Sequence, residues 1–153
     1  TGGLGPMGAD VVEFLIAPNP GEEARLLTRI ASGGELSRIM LALKAILADV
    51  DRVPTLIFDE VDAGIGGAVA EVVGQRLKAI SRHRQVFCIT HLPQIAASAT
   101  THVAIEKRVE GGRTVTRASQ LSDKERIEEV ARMLGGRTIT PTTLKHAQEM
   151  LGL

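Results

Sequence analysis

Thr55-Leu-Ile-Phe-Asp-Glu60 is the stretch that decides the fold, a short apolar run with β-branched residues that stops on two carboxylates. Such a run reads as a strand buried in a parallel sheet, with its acidic end at the sheet's edge. Upstream, Ser32-Gly33-Gly34 opens a helix whose apolar positions are Leu36, Ile39, Met40, Leu43, Ile46, Leu47 and Val50. Their i, i+3, i+4, i+7 spacing predicts one continuous buried face, and Ser32 with Glu35 three residues on has the pattern of a capping box. Downstream, a helix is expected from Gly67 to Ile80, then a second buried strand from Gln85 to Thr90, ending at His91. Pro93 suits the first turn of a short helix through Ala97. Strands alternating with helices imply an α/β fold with a mostly parallel sheet flanked by helices.

The outer segments read more simply. Gly2 to Gly8 is a flexible glycine-rich lead, and its Gly3-x-Gly5-x-x-Gly8 lacks the preceding strand that a dinucleotide fingerprint needs. Asp10 to Ile16 predicts a strand, and Pro18-Asn-Pro-Gly21 a turn. His102 to Val109 and Arg113 to Ala118 flank Glu110-Gly-Gly112 as a C-terminal β-hairpin, and Asp123 to Leu134 and Thr142 to Leu151 are terminal helices. Gly135-Gly136 stops the first of these.

Bulk composition excludes several classes. The 153 residues suit one domain, and 44% hydrophobic with 24% charged residues gives a core with a solvated surface. Lysine plus arginine equals aspartate plus glutamate at 18 each, which argues against a free-standing DNA-binding module. With no Trp or Tyr and three Phe, a base-stacking platform is disfavoured. The lone Cys88 cannot form an internal disulfide and reads as core packing, and no signal peptide is evident, so the cytoplasm is the expected location. The Thr-Gly-Gly start points to a processed or excised chain.

Three places can carry chemistry. Asp59 and Glu60 end a strand, where open parallel sheets collect their sites. They divide as a magnesium-supporting Asp59 and a water-polarising Glu60, or else they form a polar turn capping Gly66-Gly67. His91 ends the next strand and can face the same edge, where a neutral imidazole would bond a phosphate oxygen or the attacking water; the alternative is a structural histidine. Ser32-Gly33-Gly34-Glu35 places unpaired amides at a helix start, an anion site or an ordinary cap. His83, His102 and His146 show no metal-ligand spacing. Arg82-His83-Arg84, Lys107-Arg108, Arg113 and Arg117 are small basic clusters, read as solvated surface in preference to DNA contacts, and Met40, Met133 and Met150 as core.

Taken in order, Ala31-Ser-Gly-Gly-Glu-Leu-Ser-Arg38, Thr55-Leu-Ile-Phe-Asp-Glu60, Val61-Asp-Ala-Gly64 and Ile89-Thr-His91 resemble the signature motif, Walker B strand, D-loop and switch histidine of the ABC ATPase superfamily. Val61 stands where transporter ATPases usually have proline, as in SMC and Rad50-like heads. Asn19-Pro-Gly-Glu22, Ser32 to Leu43, Glu60 to Gly67 and Ile89-Thr-His-Leu-Pro-Gln94 are similar to the RecN-type bacterial DNA-repair ATPases, and the likeness runs from about Gly5 to Gly136. The resemblance implies that Ser32 and Gly34 contact the γ-phosphate of ATP held by an opposing head, with Gly33 allowing close approach and Glu35 beside them. It implies Asp59 at Mg2+ through water, Glu60 at the hydrolytic water, Asp62 at the head–head interface and His91 as γ-phosphate sensor. Arg38 would add positive charge near the shared nucleotide, or simply be solvated.

One motif is missing. No Gly-x-x-x-x-Gly-Lys-Ser/Thr occurs, and Lys44, Lys78, Lys107, Lys124 and Lys145 all lack the glycine loop that cradles phosphates. There are no sustained heptads either. The expectation is therefore the C-terminal lobe of an SMC-type head over 9–153, completed by an N-terminal Walker A lobe of the same protein and closing on a second head as a homodimer. Alone it would bind ATP weakly or not at all and would not turn it over. The resemblance places DNA, through the full-length protein, as the ultimate partner in double-strand-break repair and recombination, with no membrane. A non-catalytic ABC-like scaffold is the alternative, and a transporter nucleotide-binding domain a weaker one.

Overall fold

The structure is a computed structural model that describes residues 5–6, 8–17, 19–29, 32–48, 50–136 and 138–153. Gly3 of the glycine-rich lead and Pro18 of the predicted turn lie outside the described residues. The order of elements is β1 (Leu15–Ile16), β2 (Arg25–Leu26), α1 (Gly33–Ile46), β3 (Thr55–Phe58), α2 (Gly67–Ser81), β4 (Gln85–Cys88), α3 (Pro93–Ser98), β5 (Val103–Glu110), β6 (Arg113–Gln120), α4 (Asp123–Gly135) and α5 (Pro141–Leu151).

β3 and β4 are parallel, with Phe58 opposite Cys88, while β1–β2 and β5–β6 are antiparallel pairs. Parallel pairing is thus confined to one pair among the described residues. The strand expected over Asp10–Ile16 is reduced to Leu15–Ile16. Val11, Val12 and Phe14 have β-forming side chains but lie exposed, and strand propensity without a face to bury against does not suffice.

The main core joins Leu41, Leu56, Phe58, Val61, Ala70, Val73, Leu77, Ile80 and Ile95, with Cys88 packed against it as expected. A second cluster holds α4 to α5 through Val130, Ala131 and Ala147, with Met150 at its margin. α4 starts on a complete capping box, Ser122 with Glu125. α1 has half of one, since Ser32 Oγ accepts from the Glu35 amide at 3.4 Å.

Burial corrects three expectations. Only one face of β3–β4 is covered: Leu56 and Phe58 are buried, whereas Ile57, Phe87 and Ile89 are 70%, 51% and 60% exposed. The expected face of α1 is not continuously buried: the helix stops at Ile46, with Leu47 and Val50 beyond it, and Leu36, Met40, Ile46, Leu47 and Val50 stay exposed while Leu41 reaches the core. Met40 accordingly is not core; with Leu36, Ser37 and Ile57 it lines a shallow groove of 250 Å³ between α1 and β3. The physical reason is common to all three. Among the described residues the core packs on one side of the parallel pair, and the side bearing Ile57, Phe87 and Ile89 is left largely uncovered.

A latch closes the base of this layer. The Arg84 side chain, 5% exposed, donates to the carbonyls of Ala48, Asp51 and Val53, and its Nη1 pairs with the Asp51 carboxylate at 2.9 Å. Arg84 is therefore neither solvated surface nor DNA-facing. No described helix is long and apolar enough to cross a membrane.

Candidate functional site

β3 and β4 run side by side and end together, and the amide of Ile89 donates to Phe58 O at 3.0 Å. Asp59–Glu60 and His91 therefore leave the same edge of the parallel pair, as the sequence predicts. Beyond Phe58 the chain turns sharply. Glu60 has φ +56°, a left-handed conformation costly for a residue with a Cβ. The turn closes through Ala63 N donating to Glu60 O at 2.9 Å, and Val61 is fully buried beneath it. A cap on Gly66-Gly67 is not what these carboxylates make, because among the described residues their one hydrogen bond is from the Glu60 amide to Asp59 Oδ1.

Asp62 is only 4% exposed. Its Oδ2 accepts from Thr90 Oγ1 at 2.6 Å and from the His91 amide at 2.9 Å, and it lies 2.9 Å from His91 Nδ1. Burial opposes its charge, but the bonds from Thr90 and His91 outweigh burial and hold the carboxyl below the usual range. The structure places this side chain inward, holding the histidine loop, where the resemblance implies a residue facing another head. His91 Nδ1 thus lies beside this carboxylate, and Nε2 is left on the largely open side of the ring. Thr90 is a site residue the sequence did not single out; its place beside His91 was the available signal.

α1 begins against the same turn. Ser32 and Gly33 are exposed, and Gly34 is buried. A Cβ on Gly33 would stand 2.5 Å from Glu60 Oε2, so the start of α1 and the carboxylate are neighbours. A Cβ on Gly34 would meet Ala63 Cβ at 2.7 Å and Glu60 O at 3.0 Å. Ser37 Oγ donates to Asp59 O at 2.6 Å, and Arg38 Nη1 donates to Val61 O at 3.3 Å and Ala63 O at 2.9 Å. Arg38 is thus half-buried, with its Nη1 committed to the turn. These bonds span more than twenty residues of sequence, which is why spacing could not reveal them.

Asp59 keeps an exposed carboxylate whose Oδ1 accepts from the Glu60 amide at 2.9 Å. Among the described residues no group of three or more His, Cys, Asp and Glu could hold a metal. One carboxylate fits magnesium that arrives with a nucleotide and keeps its waters, and does not fit a resident ion. On the hairpin, Arg108 pairs with Glu106 and Arg117 with Glu110, so the basic clusters there are partly neutralised.

No family model matches the chain. It is 57% identical over 147 residues to DNA repair protein RecN of Treponema pallidum, which covers 96% of this chain and 26% of that protein. It is 47% identical over 148 residues to DNA repair protein RecN of Bacillus subtilis, covering 97% and 26%. The chain thus spans about a quarter of the length of these relatives. Among solved structures, it is similar to a chain from work on ATP-driven dimerization and DNA-stimulated activation of SMC ATPases, with TM-score 0.54 at 22% identity, covering 88% of this chain and 86% of that one. It is also similar to the Smc head domain with a coiled coil and joint of Pyrococcus yayanosii, with TM-score 0.56 at 25% identity, covering 76% and 24%. The α/β arrangement is that of an SMC-type head lobe.

Proposed function

From a chain that belongs by sequence to the RecN family, we propose the C-terminal lobe of an ATPase head that closes with a second head around ATP and hydrolyses it in DNA repair. The observation that carries this is the convergence of Asp59, Glu60 and His91 at one end of two adjacent parallel strands, with the glycine start of α1 packed on the same turn. Glu60 is the base that polarises the attacking water, and His91 Nε2 meets the terminal phosphate. Asp59 supports the magnesium that accompanies ATP. Ser32 and Gly33 offer amides at the exposed start of α1 to the γ-phosphate of a nucleotide carried by the other head, with Glu35 at the same turn. ATP then acts as a removable adhesive between heads, since cleavage destroys the contact both share.

The bare face formed by Ile57, Phe87 and Ile89 supports a lobe that is completed by more chain. A Walker A lobe of the same protein is the occupant we assign. Work in the cytoplasm, on DNA held by the full-length protein, and participation in recombination belong to the same reading.

A second reading, a non-catalytic lobe, draws on Gly34. Ala63 and the Glu60 carbonyl already fill the space above it, so glycine is explained there without a ligand. Glu60→Gln in the full-length protein separates the two. Lost turnover with retained ATP-dependent dimers supports the motor; unchanged hydrolysis removes Glu60 from the chemistry and favours the scaffold.

A further inference from the structure

We infer that Arg38 is a positioning residue that links the start of α1 to the His91 ring by gripping the two carbonyls on either side of Asp62. The inference rests on the ATPase reading above and adds to it an internal linkage between the two faces of one head. One guanidinium nitrogen reaches both Val61 O and Ala63 O, at 3.3 and 2.9 Å. Asp62 lies between these carbonyls, and its carboxylate is the polar anchor of the His91 ring, whose side chain is otherwise 75% exposed. An exposed ring with a single anchor takes its orientation from that anchor; the backbone that carries Asp62 is set by the 60–63 turn, while Thr90 and the His91 amide hold its carboxylate.

The turn has little else to hold it from above. Its own bonds are the short ones from Ala63 to Glu60 and from Ile65 to Asp62. From α1, Ser37 fixes Asp59 O, Gly34 abuts Ala63, and Arg38 bridges across the Asp62 backbone, its Nη1 3.1 Å from where a Gly34 Cβ would stand. Any displacement of the start of α1 by an anion at Ser32 and Gly33 is therefore delivered through Arg38 to Asp62, and from there to His91. Contact with the neighbouring head's nucleotide would thus set the histidine that serves the head's own.

Arg38→Met removes both bonds and preserves the aliphatic stem; Arg38→Lys keeps the charge but lacks the planar fork. In the full-length protein, Arg38→Met is expected to lower kcat for ATP about tenfold with KM changed less than about twofold, as suits loss of charge-assisted bonds that act on position. Arg38→Lys should fall between it and the parent. In the His91→Ala background, Arg38→Met should cost less than about a further twofold, because residues acting through one another are not additive. Nitrogen-15 spectra of the His91 ring at one fixed pH, without nucleotide, should show a protonated Nδ1 in the parent and mixed tautomers in Arg38→Met. Fully additive losses, or a ring spectrum indifferent to Arg38, overturn the linkage. If instead Glu60→Gln leaves turnover intact while the ring still responds to Arg38, the ATPase reading fails and the linkage stands.

Discussion

Alanine at Gly33 and at Gly34 should have opposite consequences, although the two glycines are neighbours. Neither has the positive φ that would forbid a Cβ, so space alone decides. At Gly34 the added carbon would sit 2.7 Å from Ala63 Cβ and 3.0 Å from the Glu60 carbonyl, atoms that cannot swing aside. Overpacking of that kind costs ~1–3 kcal/mol, against a helix-propensity gain of up to ~1 kcal/mol. Taken at the middle of these ranges, the net loss is ~1–2 kcal/mol, or a Tm lower by ~2–8 °C for a chain of this size. At Gly33 the obstacle is the Glu60 carboxylate tip, 2.5 Å away but on a flexible side chain. Gly33→Ala should leave stability within ~0.5 kcal/mol while displacing the carboxylate. Urea unfolding followed by circular dichroism gives the first quantity, and ATP turnover of the completed head the second. A Gly34→Ala variant at least as stable as the parent would show that α1 does not rest on the 60–63 turn, and the account of the site would fail with it.

Other outcomes follow from the latch and the thiol. Arg84→Met should cost ~2–4 kcal/mol in urea unfolding, since it strips a buried guanidinium from three carbonyls and a carboxylate; a loss below ~1 kcal/mol would mean the ties are not formed. Asp51 is held down to about 2 from 3.8, first by the Lys44 bond and then by the Val53 amide and Arg84, with burial opposing. A depressed carboxyl stabilises the fold above its unfolded pKa and loses that stability as pH falls through its folded one. The urea midpoint should therefore drop between pH 3.8 and about 2, and Lys44→Met should flatten the drop. Burial, then the charges of Asp62 and Asp59, push the Cys88 thiol from 9.0 up to about 11. Its thiolate fraction at pH 8 is then about a hundredfold below that of a free cysteine, so alkylation should be correspondingly slow. Asp59→Asn should quicken it, and labelling at the free-thiol rate would contradict the environment described.

Much of this arrangement was legible in the sequence, because its strongest signals are local. The periodicity of α1, the apolar run of β3, Pro93 at a helix start and the paired glycines of the hairpin each depend on near neighbours; the bounds of β3, α3 and the hairpin fall within a residue or two, while α1 stops at Ile46, short of the expected Val50. The common edge for Asp59–Glu60 and His91 followed from strand–helix alternation alone. What stayed hidden depends on partners far along the chain or outside it. Asp62 is recruited by Thr90 and His91, nearly thirty residues away, and no pattern around it betrays burial. Arg38 could be weighed only as a charge, since its acceptors are main-chain oxygens. The predicted strand Gln85–Thr90 ends at Cys88 because Thr90 turns its hydroxyl to Asp62. Periodicity could announce that Met40 and Ile46 are apolar, but not that this lobe leaves them uncovered.

The left-handed backbone at Glu60 sets fold against work at a single position. Glycine there would relax a conformation that costs an L-residue roughly 1–2 kcal/mol, so on the proposed ATPase reading Glu60→Gly gains on the backbone what it forfeits in chemistry. A selection for thermal robustness alone would drift toward that exchange and return a sturdier, idle protein, and only a screen that also demands turnover would keep the acid in its uncomfortable bend.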